Sequence, residues 1–109
     1  MIHAGEIYFV AGVEIGVCAN ARPCIVLQVR ATTALICILS AQFDLAEGHE
    51  VTILTTDADF PASGLERDSF IPEFAERWVE ISVLKKANFL GQAVGDFKRK
   101  VENWCGVTF

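Results

Sequence analysis

No apolar run in this chain approaches the roughly 20 residues that a bilayer-spanning helix needs. Its first residues, MIHAGEIYF, carry no basic stretch followed by an apolar segment, so no secretory leader is expected. These absences predict a soluble protein that stays where it is made. Cysteine is sparse, four in 109 residues, and forms no C-x-x-C pair or other metal-ligand spacing. Cys24 and Cys37 fall inside apolar runs and read as buried small hydrophobes rather than disulfide partners. Cys18 and Cys105 lie in less regular surroundings, and one of them is expected to be an exposed thiol. A cytoplasmic setting fits this usage best, and neither a metal nor a cofactor is expected. Positive charge is scarce too. Nine Lys and Arg against fourteen Asp and Glu leave a net charge of −5, which counts against broad nonspecific binding of nucleic acid, a mode that depends on phosphate neutralisation. A polyanion therefore needs a local site. There is no internal repeat or low-complexity segment, and Ser69 lacks the G-x-S-x-G elbow of a hydrolase nucleophile.

A hydrophobic content of 52% is enough for one core, and residues 1–109 read as a single domain. The chain is organised around residues 21–42, ARPCIVLQVRATTALICILSAQ. Two apolar runs, Cys24–Val29 and Ala34–Leu39, flank the polar turn Arg30-Ala31-Thr32-Thr33 and are expected to pair as an antiparallel hairpin. Pairing brings Arg22, held extended by Pro23, beside Ser40, with Gln42 close by. A guanidinium and a hydroxyl on an apolar support can bind a phosphodiester and turn it over. From spacing alone, a surface arginine beside a strand-end serine is the simpler reading.

Around this hairpin the sequence predicts a strand at Glu6–Ala11 and a loop over 12–21, with a short extension near Val13–Val17. Phe43–Gly48 reads as a turn, His49–Leu54 as a half-exposed strand and Thr55–Ser63 as a loop. A short strand is expected at Ser69–Ile71, ended by Pro72. Residues 73–80 fit either a helical turn or irregular chain, and Ile81–Leu84 is a short apolar run. Asn88 is placed as the cap of a helix from about Phe89 to Trp104, because Leu90, Val94, Phe97, Val101 and Trp104 recur on one face. Short strands and one terminal helix predict a mainly β, α+β fold, a small SH3-like antiparallel barrel with a C-terminal helix.

Other residues have plainer readings. His49 is suited to proton transfer, yet a strand-start histidine more often faces solvent, and His3 rates no higher. Glu66, Arg67 and Asp68 read as a turn built by local charge pairs, with a groove-lining role as the minority view. Trp78 and Trp104 can stack bases or fill an interface, although packing is commoner. Lys98, Arg99 and Lys100 read as a solvated helix face.

The order GEIYF, RPCIVLQ, a second strand ending SAQ, HEVTI and GLERDSFI resembles the MazF/PemK toxins of toxin–antitoxin systems. The resemblance runs from about Gly5 to Ile71, and more weakly into the C-terminal helix. It implies an SH3-like barrel that forms homodimers and cuts single-stranded RNA at short motifs without a metal, inhibited by an antitoxin. It assigns catalysis to Arg22 and Ser40, and substrate contacts to Gln42, Glu73 and Arg77, the last displaced by one position. This chain departs from the family's pattern in two places. Glu14-Ile15-Gly16-Val17-Cys18-Ala19-Asn20 replaces a glycine-serine-glutamate-glutamine stretch before the Arg-Pro pair. Phe74-Ala75-Glu76-Arg77-Trp78 replaces the usual Gln-x-Arg-[ST] segment. Two alternatives stand beside the nuclease: a catalytically silent SH3-like barrel that binds a peptide or protein, and a DNA-associated adaptor.

Overall fold

The run Cys24-Ile25-Val26-Leu27 is apolar without alternation, which suits a central strand covered on both faces. The computed structural model describes residues 1–16, 20–43, 46, 48, 51–72 and 76–109, and it places this run at the centre of a five-stranded antiparallel sheet. The strands are β1 (Glu6–Val10), β2 (Arg22–Val29), β3 (Thr33–Ile38), β6 (Glu76–Glu80) and β7 (Asn88–Gln92), in the order β6-β3-β2-β1-β7. A second sheet pairs β4 (Val51–Ile53) with β5 (Ser69–Ile71). The helices are α1 (Phe60–Ser63), α2 (Ile81–Lys86) and α3 (Gly95–Cys105), and a 3-10 turn spans Gly12–Ile15.

The hairpin forms as expected. Arg30 N donates to Thr33 O at 2.8 Å across the turn, and the register pairs Cys24 with Ile38. A register shift between Val26 and Gln28 leaves Leu27 unpaired in the ladder, the mark of a β-bulge. One apolar cluster lies on the face of Tyr8, Val10, Cys24, Val26 and Ile36, with Leu84 of α2. The other holds Ile7, Ile25, Leu27 and Cys37 against Ile53, Ile71, Phe97 and Val101. The sheet is therefore the middle layer of the molecule.

Three expectations are corrected. The sheet does not close into a barrel: among the described residues β6 and β7 are its two edges, and helices and the β4–β5 ribbon cover its faces instead. A single bridge, Ser40 with Phe70, links the two sheets. The helix expected from Phe89 begins only at Gly95, because 88–92 pairs with β1 as an edge strand. Asn88 is accordingly a strand residue, and Asp59 does the capping, its Oδ2 accepting from Phe97 N at 3.2 Å. Residues 76–80 form a strand, where a helical turn or irregular chain was expected over 73–80, and the apolar run from Ile81 belongs to a helix over 81–86.

Candidate active site

The hairpin ladder continues past Cys24 and Ile38. Leu39 N donates to Pro23 O at 2.9 Å, so the next step sets Arg22 across from Ser40. On its other side Arg22 pairs with Val10 of β1. At this end of the sheet lies a cleft of about 340 Å³. Residues two apart on a strand share a face, so Ala21, Pro23, Leu39 and Ala41 alternate onto one face, and all four line the cleft. Arg22 also borders the cleft, although the same alternation sets its Cβ on the other face, beside its partner Val10.

The facing wall comes from the turn before β5 and from β7. Gly64, Leu65, Glu66, Arg67 and Ser69 line it, with Leu90. Close packing holds this wall in place. A Cβ on Gly64 would overlap the carbonyl of Leu90, and Gly64 also has a φ of +70°, a conformation that glycine adopts without penalty. A Cβ on Gly91 would overlap the carbonyl oxygen of Ala62 in α1. Asp68 Oδ1 accepts from Thr55 N at 2.7 Å, so this turn is tied to the chain after β4. Ser69, buried, donates its hydroxyl to Arg67 O at 2.9 Å.

The sequence-derived residues do not all meet here. Arg22 lines the cleft, whereas its lining skips Ser40 in favour of Leu39 and Ala41. The Ser40 hydroxyl accepts from Gln42 N at 3.2 Å, and its backbone exchanges two hydrogen bonds with Phe70. Arg77 pairs with Ile36 in the exposed edge strand β6, and its guanidinium reaches toward Gly16 rather than into the cleft. Glu73, His49 and Cys18 lie outside the described residues.

Sequence reasoning passed over Phe9, which keeps 41% of its surface exposed and lines the cleft. The continuous apolar run Ile7–Val10 carries no sign of it; only the structure leaves Phe9 exposed while Ile7, Tyr8 and Val10 are buried. Sequence reasoning also gave the groove role of Glu66 and Arg67 second place, although both line the cleft. Trp104 is half-buried against the second apolar cluster. Trp78 is exposed on β6 with the Arg30 guanidinium 4.2 Å from its ring centre.

Among the described residues, the lining of the cleft includes two arginines, one glutamate, a phenylalanine and apolar residues. Guanidinium groups bind phosphate oxygens and stabilise negative charge that builds up on them. Among the described residues no group of His, Cys, Asp and Glu could hold a metal ion. No protein-family model matches the chain, and no curated protein matches it.

Proposed function

We propose that this protein is an endoribonuclease of toxin type, cleaving single-stranded RNA at the Arg22 cleft. The observation that carries the reading is Arg22 in the wall of a 340 Å³ cleft, across the hairpin from Ser40 and with a second arginine, Arg67, in the same lining. Cleavage without a metal requires activation of the ribose 2′-OH, stabilisation of the crowded phosphorane and protonation of the 5′ oxygen. Arg22 takes the second task, because a bidentate donor matches two nonbridging oxygens. Ser40, across from Arg22, is assigned to orient the nucleophile or hydrogen-bond a nonbridging oxygen. The order of motifs along the chain supports the same class, and with it a homodimer inhibited by an antitoxin that covers the cleft.

The test is incubation of purified protein with mixed single-stranded RNA in EDTA, followed by mapping of the new ends. Discrete cleavage sites are expected, and Arg22→Ala or Arg22→Lys should abolish them. Unchanged cleavage by either variant rejects the assignment. A second reading, a catalytically silent module that binds a peptide or protein, is favoured by one feature: the cleft lining skips Ser40 while exposing Phe9. Harmless expression without RNA ends would decide for that module.

A further inference from the structure

The cleft has two chemically distinct parts, and together they describe a ligand. Among the described residues, Phe9, Pro23, Leu39, Leu65 and Leu90 supply apolar lining, and Arg22, Arg67 and Glu66 are the ionisable residues beside them. Two arginines against one glutamate suit an anionic group such as a phosphodiester. A volume of 340 Å³ is at the small end of the range of about 300–1,000 Å³ usual for ligand pockets, enough for one nucleotide unit.

We propose that the cleft holds one nucleotide of a single strand, its base stacked on the Phe9 ring and its phosphate between Arg22 and Arg67. This rests on the reading of the Arg22 cleft as an RNA site and adds the ring and the second cation to it. Exposed aromatic rings on a strand are a sequence-tolerant platform for bases, since every base has a π-face. A base paired within a duplex cannot offer that face, so the ring selects single strands. The buried Ser69 hydroxyl, which donates to Arg67 O, and the Asp68–Thr55 bond fix the backbone of the turn that carries Arg67.

The experiment measures equilibrium binding of a fluorescently labelled 2′-O-methyl oligoribonucleotide, which has no free 2′-OH and so cannot be cleaved. Binding is thereby read separately from the nuclease reaction. Phe9→Leu is expected to weaken binding about five- to 150-fold, the range for losing one base–aromatic stack, and Phe9→Tyr to retain it. Arg67→Ala is expected to lower the slope of log affinity against log salt by about 0.7, one phosphate contact on a single strand. Circular dichroism checks that each variant is folded. Wild-type affinity in a folded Phe9→Leu, or an unchanged salt slope in Arg67→Ala, overturns the proposal even if RNA is cut. Failure of the nuclease reading shows differently, as intact RNA with the binding pattern retained.

Discussion

Cys24 and Cys37 lie on adjacent strands of the hairpin, opposite Ile38 and Ile25 in register and on opposite faces of the sheet, and both are fully buried. Burial disfavours the thiolate, so the Cys24 thiol is pushed up to about 12. Cys37 is raised as well, by burial first and then by the charge of Glu76. Reactivity follows the thiolate, and these two thiols are inert in the folded state. In a Cys18→Ser background, a disulfide reagent at pH 8 should therefore label only Cys105, which is half-buried and donates to Glu102 O at 3.9 Å. The other two should react only after denaturant is added. Rapid native labelling of three thiols would contradict their burial. Their place in apolar runs already indicated it.

At the scale of elements, the wall of the cleft depends on how α1 meets β7 and α3. Gly91 lets the α1 backbone lie directly on β7, and Gly91→Ala forces the two apart. The cost should be about 3 kcal/mol, the upper end for overpacking, read as a lower urea midpoint with little change in slope. Asp59 acts over a different gap. Val94 gives α3 no side-chain cap, and the Asp59 carboxylate accepts from Phe97 N instead, where the helix dipole also favours negative charge. Asp59→Ala should cost about 1 kcal/mol, as for other lost caps. Asn at that position should recover most of the loss, because it keeps the acceptor.

For the whole molecule, alkaline pH is the condition that tests the two-sided core. Tyr8 is buried beneath Phe89, its ring 5.5 Å away edge-on, and its hydroxyl donates to Glu6 Oε1 at 3.1 Å. Burial, then that bond and the Glu6 charge, push its ionisation up to about 12. Unfolded, Tyr8 ionises near 10 and Cys24 near 9. Both groups are thus neutral and stabilising at pH 7, and this contribution is intact below about pH 9. It is lost as pH climbs from about 9 to about 12. Thermal melts taken from pH 7 to 11 should stay level and then fall, and Tyr8→Phe should flatten part of the decline. A protein equally stable at pH 7 and 11 would show that neither group is held as described.

What the sequence determined by itself is local. The hairpin around Arg30–Thr33, the short strand Ser69–Ile71, the buried cysteines and the helical face of Phe97, Val101 and Trp104 are written in runs of a few residues, whose periodicity and turn chemistry act before any long-range contact forms. Tertiary structure decided the rest. Phe89–Gln92 carries the same helical spacing as the residues after it, yet β1 recruits it as an edge strand, because ladder hydrogen bonds and the α1 backbone against Gly91 outweigh a helix weakened by two glycines. The open sheet also lay beyond local reading, since closure depends on whether two distant edges meet, and here helices and a ribbon cover the faces first. Arg22 was visible as a candidate in its Arg-Pro step. The company of Phe9, Glu66 and Arg67 was not, because only folding brings Arg22 together with a residue of another strand and with a turn more than forty positions away.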